Sequence, residues 1–389
     1  MTGAAGADWS SPRYGSASLA EVLPSAAALL GVPGHRDRLG LAGVVRDPRA
    51  VVVVLVDGLG AALLEARRGH APYLRDLAEH HPPGVPSRLT SAFPSTTASS
   101  LATLGTGLPP GRHGLVGYDV LDPERDRVVN QLTWPDDLDP QAWQPRPTVF
   151  EAAVAAGVAV VRVGPKEFDG SGLTAAALRG GRYAAAESLG ARVDATARAL
   201  RSSERCLAYL YWGQLDRTGH GQGWESLDWT RQLEDLDGQL ARLSAACPPG
   251  TLVVVTADHG MVDVPAANRV DAASRPDLLA GVRRAGGEPR AVYLWPEPGR
   301  SAEVADRWRH GLGDAVEVLT RADAASRGWF GPAPDPAALD RAGELVVLAR
   351  GRIVVVDSRR HRRDVLTLVG WHGSLTADEV EVPLLVDLR

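Results

Sequence analysis

The stretch TLVVVTADHGM, residues 251–261, runs six apolar or β-branched residues straight into Asp258, His259 and Gly260 once Ala257 is passed. A continuous run without polar alternation is what a strand buried on both faces looks like, and such strands belong to parallel sheets covered by helices. Three further runs share the texture: AVVVVLV (50–56), VAVVRV (158–163) and CLAYLYW (206–212). Helix-like segments separate them, among them TVFEAAVAAG (148–157) and the stretch from Leu227 to Ala246; VPLLVDL (382–388) closes the chain. Strands alternating with helices predict an α/β fold, a three-layer sandwich with a mostly parallel central sheet and helices on both faces.

Between Met261 and His372 the texture changes. AVYLWPEPG, GELVVLARG and RIVVVDS are separated by Pro/Gly turns and by the loop PAPDPAALD (332–340). The expected organisation is an N-terminal arm over 1–47 with one helix in SLAEVLPSAAALLG (18–31), a core over 48–263 and 366–389, and a small inserted α+β cap over 264–365.

Composition narrows the function classes. With 44% hydrophobic and 23% charged residues in 389, the chain can bury a large core, which argues against disorder. A net charge of −5 gives no footprint for a nucleic-acid polymer or an anionic membrane. Two cysteines, Cys206 and Cys247, cannot build a disulfide scaffold. The N-terminus places Asp8 before any basic residue and has no apolar run, unlike a signal peptide. The longest apolar runs are of strand length, short of a membrane span. A cytoplasmic protein without a membrane partner is expected.

Ligands of open α/β sheets bind beyond the carboxyl ends of the strands. There lie Asp57 in VDGLG, Asp216 and His220 in LDRTGHGQG, and Asp258 with His259 in TADHGM, while His372 in GWHGSL precedes the last run. Singly, each has a bland reading: an Asp after a strand is most often a helix N-cap, and Asp-x-x-x-His is most often an ion pair. Six such groups, nearly all beside glycines, make coincidence a poor account. Carboxylate plus imidazole suits zinc or a related divalent ion, and two ions roughly 3.5–4 Å apart are usual for phosphoryl chemistry. A hydroxyl is supplied by FPSTTASSLATLGTGLPPGRHGLVGY (93–118), where a helix begins after Pro94. Ser95 and Thr96 read as helix caps, at a position that is also a natural seat for a phosphate.

Taken together, VDGLG, PSTTASSLATLGTGLPPGRHG, DRTGH, TADHGM and GWHGS resemble the alkaline phosphatase superfamily, and within it the type I phosphodiesterase/nucleotide pyrophosphatase branch. In that family the nucleophilic Thr precedes a Thr-Gly pair by nine residues and follows a Pro by three; Thr106-Gly107 and Pro94 both designate Thr97. The resemblance implies an alkaline phosphatase-like sandwich in which Asp57, Thr97, Asp258 and His259 hold one divalent ion and Asp216, His220 and His372 the other, zinc being the first choice. It also implies a phosphothreonine intermediate and a small phosphate-ester substrate, a phosphodiester or pyrophosphate bond of a nucleotide-like molecule. Where the nucleotide pyrophosphatases carry an Asn that contacts substrate phosphate, this chain has Tyr118. No C/S-x-P-x-R context of the sulfatases surrounds Thr97. The alternatives are a phosphomonoesterase of the same superfamily and a catalytically dead metal-binding sensor; a complete ligand set beside a hydroxyl weighs against the sensor.

Overall fold

The computed structural model describes residues 9–389. The apolar runs become β1 (Ala50–Val56), β2 (Ala159–Gly164), β3 (Arg182–Ala185), β4 (Cys206–Trp212) and β5 (Thr251–Thr256). With the C-terminal strand Leu385–Leu388 they form one sheet in the order C-terminal strand, β5, β1, β4, β2, β3. The five numbered strands are parallel, and the C-terminal strand pairs antiparallel with β5 at the edge. Every residue of β1 is buried, as its β-branched run requires between two helical layers.

On one side lie α1 (Val22–Leu29), α2 (Thr97–Thr106) and α3 (Val149–Ala155), in mutual contact. A capping box of Ser18 and Glu21 opens the turn leading into α1, and Thr148 with Glu151 opens α3. On the other side α4 (Leu189–Arg201) covers β2 and β4. From the end of β4, α5 (Gln214–Gln222) leads into α6 (Leu227–Ala246), which packs against α4. Val161 and Val163 of β2 pack on Ala195 and Ala199 of α4; Arg162 between them therefore points to the α3 side. Of the arm expected over 1–47, the first eight residues lie outside the described ones, and from Trp9 on it is anchored, the Trp9 indole donating to Glu317.

Within residues 264–365 a second sheet is formed by β6 (Val282–Glu288), β7 (Ala291–Pro296), β8 (Val316–Thr320) and β9 (Leu345–Ala349), antiparallel in the order β6, β7, β9, β8. Val292, Leu294, Val318 and Val347 face α7 (Ser301–Leu312) and its Trp308. Tyr293, Trp295, Val346 and Leu348, on the other face, merge with the main core. Period-two alternation with both faces buried thus lays this sheet flat against the molecule. The stretch 332–340, expected to be all loop, contains one helical turn at Pro336–Leu339. No helix among the described residues is long and apolar enough to cross a membrane.

Candidate active site

Asp57 stands one residue beyond β1, its backbone N–H held by the Trp212 carbonyl at the end of β4. The next residue must be glycine. Gly58 has φ +75°, and a Cβ there would meet the Asp216 Cα at 2.9 Å. Asp216 and His220 sit one turn apart on α5, with Oδ1 and Nε2 3.4 Å from one another. Asp258 and His259 follow β5, and His372 arrives from the C-terminal side, its ring stacked on that of His259 at 3.6 Å between centroids. Two groups of donors close enough to share an ion result: Asp57, Asp216 and His259, and Asp216, His220 and His372. Asp216 belongs to both. Asp258 lies alongside, its Oδ2 3.6 Å from His259 Nε2 and its Oδ1 accepting from the Gly58 N–H.

The imidazoles are oriented alike. Nδ1 of His259 faces the Gly260 carbonyl at 3.0 Å, Nδ1 of His220 the Gly370 carbonyl at 2.8 Å, and Nδ1 of His372 the Ser95 carbonyl at 2.8 Å. A carbonyl only accepts, so each Nδ1 carries the proton and each Nε2 presents a lone pair to the centre. Burial, then the neighbouring His259 and His220, hold His372 well below the ordinary histidine range, keeping it a neutral donor. Burial and then the Asp258 and Asp216 carboxylates push Asp57 well up, and burial pushes Asp258 up. Oδ1 of Asp57, Oδ1 of Asp216 and Oδ2 of Asp258 are buried without a hydrogen-bond partner. Crowded carboxylates with orphaned oxygens, facing three imidazole lone pairs, are a donor set that fits divalent cations.

Thr97 is the first residue of α2, half-buried, with Oγ1 3.2 Å from His259 Nε2. The rest of α2 is buried, and at Gly105 a Cβ would sit 1.8 Å from the Ala177 carbonyl oxygen, so only glycine permits that crossing. The expected caps do not cap. Ser95 Oγ donates to the Ser374 carbonyl at 2.7 Å and accepts from the Gly373 N–H at 3.1 Å, while Thr96 Oγ1 donates to Glu288. Both hydroxyls have found tertiary partners, Ser95 binding the turn before Thr97 to the loop holding His372 and Thr96 binding it to the end of β6, and α2 begins without a side-chain cap.

Two residues escaped the sequence reading. The Tyr211 hydroxyl, on β4, donates to Asp57 Oδ2. Glu288, from the end of β6, is buried against Thr96 with its carboxyl pushed up to about 8 by burial and then by Asp119, Asp216 and Glu379. The only local hint of Glu288 is the Gly-Gly pair before it. Tyr118, which burial pushes up, lies half-buried near Glu288. Trp134 and Trp143 are packing residues, Trp143 lying 3.7 Å beneath the Arg341 guanidinium. A cavity of about 610 Å³ opens beside Thr97, Asp57 and Asp216, with Phe168, Tyr211 and Arg162 in its wall.

A mostly parallel sheet whose carboxyl edge gathers carboxylates, imidazoles and a helix-starting hydroxyl defines a member of the alkaline phosphatase superfamily. The family model for type I phosphodiesterase/nucleotide pyrophosphatase matches residues 51–375, and the chain belongs to that family. Membership places it among the phosphoester hydrolases. Murine ectonucleotide pyrophosphatase/phosphodiesterase 5, an inactive form in complex with AMP, is similar at TM-score 0.68 and 19% identity over 86% of this chain and 87% of that one. Phosphonoacetate hydrolase from Sinorhizobium meliloti 1021, in complex with phosphonoacetate, is similar at TM-score 0.66 and 22% identity over 87% and 90%. At these identities the likenesses speak for the fold. No curated protein matches the sequence.

Proposed function

We propose that this protein cleaves phosphodiester or pyrophosphate bonds of a nucleotide-like small molecule through a phosphothreonine at Thr97. Two divalent ions, zinc foremost, are held by Asp57, Asp258 and His259 with Thr97, and by Asp216, His220 and His372; Asp216 stands between the two sets. The carrying observation is the Thr97 hydroxyl 3.2 Å from His259, at the meeting of the donor groups and the cavity. Family membership and the AMP bound to the murine relative support a nucleotide-like substrate. The buried free cysteines suit a cytoplasmic setting.

When bound, the ions supply a lowered hydroxyl pKa and neutralise charge on the transferring group. Thr97 Oγ1 gives up its proton to solvent and attacks phosphorus in line; the Oγ1–P bond forms as the bond to the leaving oxygen breaks, that oxygen takes a proton from solvent, and water later cleaves the phosphothreonine to the phosphate product and the free hydroxyl. The first-turn N–H groups of α2, left without a side-chain cap, are available to a nonbridging oxygen. Tyr211 holds Asp57 in its orientation.

The test compares Thr97→Ala with Thr96→Ala on zinc-loaded protein, reading turnover of bis(4-nitrophenyl) phosphate together with metal content. Thr97→Ala is expected to lose several orders of magnitude in kcat while keeping its fold and about two ions per chain. Thr96→Ala is expected to retain substantial activity. An active Thr97→Ala, or active protein without divalent metal, overturns the proposal.

A further inference from the structure

The cavity beside Thr97 continues inward along the sheet to Arg162 and Tyr209. Arg162 sits mid-strand on β2, in register with Tyr209 of β4 and Tyr183 of β3, its guanidinium 5.5 Å from the Tyr183 ring centre. It is 9% exposed, its Nε is buried without a partner, and it makes no ion pair among the described residues. Tyr209, 3% exposed, likewise has a hydroxyl with no partner. Arg192, also in the cavity wall, shows the contrast: it donates to the carbonyls of Ala186, Glu187 and Tyr211.

A buried cation with no carboxylate at ion-pair distance is costly to the fold, and burial lowers Arg162 from its ordinary value, with Tyr183 and the more distant Asp169 acting the other way. Its depth separates it from the phosphate end. Arg162 is level with Tyr209, whereas Asp57 lies past the Val56–Trp212 pair of β1 and β4. Strand rise and spacing put the Arg162 and Asp57 Cα atoms roughly 16 Å apart. That spacing sets Arg162 apart from a phosphate seated at Thr97 and leaves its guanidinium free for another group.

We propose that the inner end of this cavity is a subsite for an oxyanion, a carboxylate or a phosphate, on the organic part of the substrate, with Arg162 its counter-ion and the Tyr209 hydroxyl a second donor. It rests on Thr97 and the surrounding carboxylates and imidazoles being the phosphate end. The substrate is then a phosphoester whose esterified group carries its own acid at the far end.

The experiment is calorimetric binding to zinc-loaded protein, which needs no turnover. The probes are methylphosphonate, 8-phosphonooctanoate, its carboxamide, and octane-1,8-bisphosphonate. The two long probes with an acid at each end are expected to bind about tenfold or more tighter than the carboxamide, as a charge-assisted pair allows. Whichever gains more tells carboxylate from phosphate. Arg162→Met should remove the gain, Arg162→Lys should keep part of it, and neither should alter methylphosphonate binding. Equal affinity of acid and carboxamide, or a gain that survives in Arg162→Met, overturns the subsite. If methylphosphonate fails to bind, the phosphate-end reading falls, and nonanoate then reads the inner end alone. Wild-type binding that Arg162→Met abolishes upholds the subsite; no difference overturns it.

Discussion

Glu288 shows how a single carboxyl can report on the site without belonging to the donor set. With a folded-state pKa of about 8 against an ordinary 4.5, it keeps its proton through neutrality, where an unfolded chain has lost it. The folded state therefore binds more protons between these values, and its stability falls as pH rises across that window. Below the ordinary value both states are protonated and the contribution is complete; above the folded value it is gone. Glu288→Gln copies the neutral form and removes this titration. Denaturant unfolding with a chelator present should show the variant gaining on wild type by on the order of a few kcal/mol from about pH 5 to pH 8. Parallel stability profiles for the two proteins would mean that Glu288 is ionised where it lies.

At the scale of elements, the turn between β6 and β7 is latched to the segment following His372. Arg290 makes a two-pronged contact with Glu379, at 2.7 and 2.8 Å, both side chains fully buried. It also donates to the Gly351 and Ile353 carbonyls, while Glu379 accepts from the Ser374 N–H at 2.9 Å. Removing one partner strands the other charge, so Arg290→Met should cost about 3–5 kcal/mol in denaturant unfolding, and adding Glu379→Met should recover part of it. A loss below about 1 kcal/mol would show that the latch is not holding the elements together. Little of this was legible beforehand. β1 and β4 can be read to the residue because both faces of each strand are buried and the apolar run is unbroken. β3, only RYAA at the sheet's edge, has no such run, and the direction of the C-terminal strand leaves no mark in its side chains. The site divides the same way. Asp57, Asp216, His220, Asp258, His259 and His372 stand in motifs at element ends, whereas Glu288 meets Thr96 across 192 residues with no local pattern between them. Ser95 and Thr96 depart from the expected caps because a local capping preference of about 1 kcal/mol gives way to tertiary hydrogen bonds.

Over the whole molecule, the distribution of cations bears on which phosphate ester is handled. A monoester brings an additional negative charge at neutral pH, which an enzyme specialised for it meets with a cation aimed at the phosphate. The segment from Phe93 to Pro110 contains no Arg or Lys. Arg112, just beyond it, lies 3.7 Å from Asp335. Of the three arginines in the cavity wall, Arg192 is bound to backbone carbonyls, Arg162 lies deep along the sheet, and Arg217 is exposed on α5. With the extra charge left unmatched beside Thr97, kcat/KM for bis(4-nitrophenyl) phosphate should exceed that for 4-nitrophenyl phosphate by about tenfold or more on one zinc-loaded preparation, since one charge-assisted contact is worth about that much. Repeating the comparison with Arg217→Ala separates the one exposed candidate: if the monoester were served by Arg217, its rate alone would fall. A clear excess for the monoester in wild-type protein rejects the diesterase reading in favour of a phosphomonoesterase on the same donor set.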